Sequence, residues 1–290
     1  MPHDQPLPLP RLLVQSAELD ETMRSWILEL PDLVADAVRR WQLDVGEPFE
    51  PGGQTAWVAP VRTPSGDDAV LKVGWRHWEG ERETDGLQVW AGRGAVRLID
   101  SYETSDSMVM LLERCSPGQP LSTLAAEDQD VVLSGILRRL WTAPVDGDRF
   151  RPLAHMCARW ADSYEESPCL RLDPGLGRAG AELFRTLPLT AEQHVLLGTD
   201  LHAGNVLSAQ REPWLVIDPK PWVGDPAYDP LQHLLNHPER LGSDPVALSD
   251  RMAHLCDLPP ERLRLWLFAR CVIGSTWMPA LADVAGLLAP

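Results

Sequence analysis

No stretch of this 290-residue sequence approaches the ~20 consecutive apolar residues that cross a bilayer, so a membrane span is not expected. The opening residues MPHDQPLPLPRLLVQSAELD lack the basic flank and apolar core of a secretory signal, and a cytoplasmic protein is the expectation. Cysteine is sparse and scattered. Cys115, Cys157, Cys169, Cys256 and Cys271 form no CxxC pair and are odd in number. That argues against a disulfide framework and a structural zinc site, and predicts reduced, mostly buried thiols. Internal repeats and low-complexity tracts are absent. Positive charge is outweighed, with 26 Lys and Arg against 42 Asp and Glu, for a formal net charge of −16. Such a surface repels phosphate backbones, so no nucleic-acid partner is expected. It attracts polycations and speeds their arrival, although solubility alone explains it equally well.

What is present is an ordinary globular composition, 44% hydrophobic and 23% charged, long enough for one large domain or two compact lobes. Residues 20–43 have helical apolar spacing interrupted by Pro31, which predicts two short helices or a bent one. Thr55–Val61 and Ala69–Val73 flank a Pro-Ser-Gly-Asp-Asp turn and predict a hairpin. A helix over Trp78–Ala91 and strands over Val96–Tyr102 and Met108–Leu112 follow. Arg114–Pro120 reads as a linker. Beyond it the pattern is helical, over Glu127–Trp141, Pro152–Glu166 and Ala179–Leu187, with a β-like island at His194–Ile217. The expectation is an α+β architecture, with a small antiparallel-sheet lobe over 1–113, a hinge over 114–120 and a larger helical lobe over 121–290.

The chemistry concentrates in VLLGTDLHAGNVL at 195–207 and WLVIDPKP at 214–221. Phosphoryl transfer needs a carboxylate to orient the attacking hydroxyl and accept its proton. It also needs an amide oxygen and a second carboxylate to hold Mg²⁺ against the phosphates. Asp200 and Asn205 have the D-x-x-x-x-N spacing of a kinase catalytic loop. Asp218 closes the apolar strand 214–217, where a metal-binding aspartate belongs. An Asp-rich turn between buried strands is the bland alternative, and the combination of loop and strand argues against it.

Upstream, Lys72 lies inside the apolar strand AVLKV. A buried ammonium needs a partner, and an ATP phosphate with a helix carboxylate would supply one. Glu83 shares a helix face with Leu87 and Trp90 and is the expected partner, with Glu79 the fallback. An edge-strand lysine reaching water is the competing reading. Gly52 and Gly53 could let the backbone approach nucleotide phosphates, though a plain hairpin turn explains them nearly as well. Gly175, Gly177 and Gly180 spell G-x-G-x-x-G. They follow CLRLDP without a βαβ pattern, so a turn leading into a helix is expected rather than a dinucleotide site. His202 reads as a loop brace. His233 and His237, in HLLNH, lack the Glu of a zinc-protease helix and read as structural or surface residues.

DLHAGNVL, REPWLVIDPKP and VGDPAYDP, with GGQTAWVAPV, AVLKVGW, GAVRLID and MLLERCSPG upstream, resemble the aminoglycoside and hydroxyurea antibiotic-resistance kinase family over residues 50–240. The resemblance lies nearest its streptomycin 6-phosphotransferase group. It implies a two-lobed protein-kinase-like fold with ATP held between lobes. Asp200 would be the catalytic base, Asn205 and Asp218 the Mg²⁺ ligands, and Lys72 the α/β-phosphate contact paired with Glu83. Backbone near Glu113 and Cys115 would face adenine. The acceptor would be a small hydroxyl-bearing molecule, plausibly cationic, such as an aminoglycoside. Asp162, Glu165 and Glu166 form an acidic cluster of candidate contacts, and Asp225 and Asp229 lie beyond the metal aspartate; a solvated helix face explains these acids as well. One departure stands out: family members read His-Gly-Asp or a close variant before the base, whereas this chain reads Gly198-Thr199-Asp200. Thr199 could restore one hydrogen bond of the missing histidine. Two alternatives remain, a kinase for another small molecule such as hydroxyurea, and a nucleotide-binding pseudokinase.

Overall fold

The computed structural model describes residues 6–145 and 149–290, and the chain divides into two compact units. The first runs to Gly118 and takes in Ala209–Pro213; the second holds Gln119–Ser208 and Trp214–Pro290. No helix among the described residues is long and apolar enough to cross a membrane.

The first unit opens with helices α1 (Arg11–Leu19) and α2 (Glu21–Trp41). Of the two forms the sequence allows at Pro31, two short helices or a bent one, the two-helix form is excluded, because α2 runs through Pro31 as one helix. Pro31 lies on the exposed side, while Met23, Trp26, Leu30, Val34 and Ala37 form the buried stripe. Packing of that stripe outweighs the lost backbone bond. Asp20 caps α2 through the Met23 N–H, and Trp26 Nε1 donates to the buried Ser107 Oγ at 2.8 Å.

The sheet beneath comprises β1 (Asp44–Val45), β2 (Ala56–Arg62), β3 (Asp68–Trp75), β4 (Leu98–Glu103) and β5 (Ser107–Glu113). Its order is β1-β2-β3-β5-β4, antiparallel throughout. Trp57, Leu71, Val73 and Val109 join α1 and α2 in one core. Helix α3 is shorter than expected, Glu83–Trp90 rather than Trp78–Ala91. A turn closes at Gly80, whose N–H donates to the His77 carbonyl, and a helix begins only after it.

The second unit is mainly helical: α4 (Ala126–Leu140), α5 (Leu153–Glu166), α6 (Pro174–Thr186), α7 (Leu231–Leu235), α8 (Pro238–Ser243), α9 (Pro245–Cys256), α10 (Pro260–Gly274) and α11 (Leu281–Leu288). Two short antiparallel ribbons stand among them. One pairs β6 (Val195–Leu197) with β9 (Trp222–Gly224), and the other β7 (Val206–Ser208) with β8 (Trp214–Val216). Buried Asp130 on α4 ties three later helices together, accepting hydrogen bonds from His233, Arg240 and Arg251. Burial pushes its carboxyl up, but these three partners outweigh burial and hold it well below the usual carboxylate range. His233 is thus structural and fully buried.

The G-x-G-x-x-G segment lies inside α6 rather than ahead of it. Asp173 caps the Gly175 and Leu176 N–H groups, with Pro174 in the first turn. The glycines serve close helix packing. A Cβ on Gly180 would stand 2.4 Å from Val272 Cγ2 of α10, and one on Gly177 would stand 2.6 Å from the Tyr164 hydroxyl of α5. Gly180→Ala therefore lowers stability by about 1–3 kcal/mol in thermal or denaturant unfolding. Gly242→Ala on α8, where a Cβ meets nothing within 4 Å, leaves stability unchanged or slightly raised. Equal effects at the two positions would contradict this account.

Candidate active site

The site in the second unit begins where β6 ends. Asp229 is wholly buried. Its carboxylate accepts from the N–H of Gly198 (3.1 Å), the N–H of Thr199 (2.7 Å) and Trp141 Nε1 (2.9 Å). Thr199 takes a left-handed conformation, φ 47°. Its hydroxyl donates to the Lys220 carbonyl at 2.7 Å, while the Lys220 N–H donates to the Gly198 carbonyl at 2.9 Å. Two chain segments are thereby stitched together next to Asp200. This is the brace that the missing histidine leaves to other groups: Thr199 supplies one bond, as its sequence position suggested, and Asp229 supplies two.

Asp200 is half-buried, its side chain 27% exposed. Asn205 Nδ2 donates to the Asp200 backbone carbonyl at 3.0 Å, which fixes the Asp-x-x-x-x-Asn loop across its ends. The Asn205 carbonyl accepts from the Ile217 N–H at 2.9 Å and ties the loop to the residue before Asp218. Asp218 also has positive φ, 53°, a strained turn that lifts its carboxylate off the end of β8. Lys220 Nζ stands 2.5 Å from Asp200 Oδ2 and 3.9 Å from Asp218 Oδ2. Asp200, Asn205 and Asp218 thus form one connected loop system, with an ammonium beside both acids. His202 Nδ1 accepts from the Gly204 N–H at 3.1 Å. Burial lowers its pKa, which favours a neutral ring bracing the loop.

In the first unit, Lys72 on β3 donates to both oxygens of Glu83, at 2.7 Å each. Both residues are buried, so this charge pair is made in a dry setting. Glu83, not Glu79, is the partner given by these contacts.

The other expected residues are engaged otherwise. Glu113 accepts Arg211 Nε and Nη2, at 2.8 Å each, and the Arg97 N–H at 2.9 Å. Burial raises its pKa, and these donors outweigh it to leave the acid low. Burial pushes the Cys115 thiol up to about 11, so it stays protonated. Gly52 has φ 79°, and a Cβ there would stand 2.3 Å from Pro10. Its neighbour Pro51 accepts the Leu12 N–H. Packing against the N-terminal segment therefore accounts for Gly52, and Gly53 follows it in the same turn. Asp225 is buried and accepts Arg262 Nε and Trp266 Nε1 at 2.6 Å each; it anchors α10 and is not presented to a ligand. Asp162 and Glu165 are clamped by Arg185, at 2.5 and 2.6 Å, and Glu166 is exposed at the end of α5. Arg185 thus offsets part of the charge of this exposed acidic cluster. Lys220 is the residue that sequence reasoning did not assign, although WLVIDPKP shows it as the lone cation next to Asp218. Asp229 reads in VGDPAYDP only as a possible acceptor contact, and its role as a buried brace has no local signal.

Residues 40–281 match the family described as aminoglycoside/hydroxyurea antibiotic resistance kinase. A hydroxyurea phosphotransferase from Kitasatospora aureofaciens is 34% identical over 267 residues, covering 90% of this chain and 77% of that protein. A streptomycin 6-kinase from Streptomyces griseus is 33% identical over 271 residues, covering 89% and 85%. Among solved structures, the aminoglycoside phosphotransferase APH(4)-Ia with ADP and hygromycin B shares the fold at TM-score 0.55 and 16% identity, covering 88% of this chain and 94% of that one. The choline kinase LicA from Streptococcus pneumoniae does so at TM-score 0.59 and 12% identity, covering 89% and 95%. The two-lobed protein-kinase-like fold is therefore the one this chain adopts.

Full burial pushes the Asp229 carboxyl up to about 6, despite its three N–H donors. An acid raised above its unfolded value near ~4 favours the folded state at low pH. That contribution is lost as pH rises through 6. Asp229→Asn lacks this titration. The stability gap between wild type and D229N therefore widens from pH 7.5 to pH 5, by on the order of 1 kcal/mol in denaturant unfolding. A gap that stays constant or narrows would contradict it.

Proposed function

The chain belongs to the aminoglycoside/hydroxyurea antibiotic resistance kinase family, and from that membership we propose that it transfers the γ-phosphoryl group of ATP to a hydroxyl of a small polar antibiotic. Streptomycin and hydroxyurea are the first acceptors to test, since relatives at 33% and 34% identity are named for them. The observation that supports the reading is the loop in which the Asn205 side-chain amide donates to the Asp200 carbonyl and the Asn205 carbonyl accepts from the Ile217 N–H, next to Asp218.

The donor set fits Mg²⁺. Asp218 and Asn205 offer hard oxygen atoms. Asn205 uses its amide nitrogen on the Asp200 carbonyl, which leaves the amide oxygen for another partner. Among the described residues no three His, Cys, Asp or Glu side chains cluster to hold a metal. Mg²⁺ needs no such cage, because it keeps waters and shares substrate phosphates. When bound, it would supply charge neutralisation to the phosphate oxygens.

In this reading Asp200 orients the acceptor hydroxyl and takes its proton. Lys72, fixed by Glu83, contacts the α/β-phosphates. Adenine meets the linker backbone near Cys115 rather than the Glu113 N–H, which already donates to the Arg97 carbonyl. The acids clamped by Arg185 leave acceptor recognition to the shape of the helical unit more than to free carboxylates.

Asp200→Ala abolishes turnover in a coupled ADP assay, by about 1,000-fold or more, while nucleotide affinity stays within about threefold. Retained turnover would defeat the assignment. Asp218→Ala removes the Mg²⁺-dependent part of ATP binding in calorimetry; unchanged Mg·ATP affinity would count against its role as a ligand.

A further inference from the structure

Twenty-six residues of the chain are Lys or Arg, and only Lys72 and Lys220 are lysines. Everywhere else the basic residue is arginine. Arginine presents a broad planar fork, whereas lysine places a compact point charge. Both lysines stand against functional carboxylates: Lys72 on Glu83, and Lys220 on Asp200 and Asp218. The first has a role in the proposed function; the second has none there.

Resting on that phosphotransferase reading, we propose that Lys220 is a positioning residue for phosphoryl transfer, holding one oxygen of Asp200 so that the other is presented to the acceptor hydroxyl. Its ammonium lies 2.5 Å from Asp200 Oδ2. Its own backbone is fixed on both sides, the N–H to the Gly198 carbonyl and the carbonyl to the Thr199 hydroxyl. The side chain is only 17% exposed, so the pair sits in a partly dry setting where charge-assisted bonds strengthen. A carboxylate torsion is otherwise broad and roughly two-fold, and a freely turning base loses the geometry that transfer needs. In the step itself, the acceptor oxygen bonds to the γ-phosphorus as the bond to the β–γ bridging oxygen breaks. ADP leaves with that electron pair, and the hydroxyl proton passes to the second oxygen of Asp200. Lys220 also lies 3.9 Å from Asp218 and offsets the repulsion between the two acids.

The test compares wild type, Lys220→Met, Lys220→Arg, Asp200→Asn and the K220M/D200N double variant. Single-turnover transfer to whichever of streptomycin or hydroxyurea wild type accepts is measured with Mg·ATP titration and melting of each protein. K220M is expected to lower kcat by about 100-fold with KM for ATP and Mg·ATP affinity within about threefold. K220R recovers at least about tenfold of that loss, since it keeps the charge. In the D200N background the same lysine change costs less than about threefold, because the residue acts through Asp200. A K220M enzyme within about fivefold of wild type overturns the proposal, as does a full loss that persists in D200N. So does Mg·ATP affinity weakened beyond about tenfold, which would make Lys220 a nucleotide anchor. Should K220M fail to fold, K220R against Lys220→Gln makes the same comparison. A wild-type protein that phosphorylates neither acceptor refutes the phosphotransferase reading itself, an outcome distinct from an active wild type with an equally active K220M.

Discussion

The second unit is organised around one buried acid. Asp229 is wholly buried, and three N–H groups converge on it, two of them from consecutive backbone positions just ahead of Asp200. An unpaired buried carboxylate would be costly, and those donors would be equally costly unpaired. The turn through Gly198 and Thr199 is therefore held by mutual need. Thr199 is carried into a left-handed conformation, and its hydroxyl lands on the Lys220 carbonyl. The local consequence is that the Asp200 loop and the Asp218–Lys220 segment are joined by a reciprocal pair of hydrogen bonds.

The chain is strongly acidic, and several acids of the helical unit pair with arginine, as Asp162 and Glu165 do with Arg185 and the buried Asp225 does with Arg262. Planar guanidinium groups suit these bidentate and multi-partner contacts. The two lysines instead hold carboxylates of the candidate site, Lys72 on Glu83 and Lys220 on Asp200.

Much of this was legible in the sequence, and the limits have physical causes. The β2–β3 hairpin, Lys72 with its carboxylate, and the Asp200, Asn205 and Asp218 spacing are local patterns, so a linear reading reaches them. The Lys72–Glu83 contact was also foreseeable, because helical periodicity puts Glu83 on the face of Leu87 and Trp90. Pro31 left two short helices or one bent helix open, because the rule that proline breaks a helix is local, whereas the buried stripe from Met23 to Ala37 that keeps one helix is tertiary. Asp225 misled because an acid beside a metal-binding motif suggests a ligand, while its partners, Arg262 and Trp266, lie on a helix far along the chain. Gly177 and Gly180 imitated a nucleotide motif because close helix packing and close phosphate approach both require a missing Cβ. Asp229 lies in the VGDPAYDP motif, but its role as an anchor depends on pairings 30 and 31 residues away that a linear reading does not reach.

The central claim is that these oxygen donors and their ammonium serve transfer of a phosphoryl group to a hydroxyl. The most direct measurement is a ³¹P NMR time course of the intact protein with Mg·ATP and either streptomycin or hydroxyurea. The account predicts loss of the γ-phosphate resonance, matched one for one by ADP and by a new phosphorylated-acceptor resonance, and none of this without Mg²⁺. Unchanged ATP signals, or conversion to inorganic phosphate alone with both acceptors present, would contradict it.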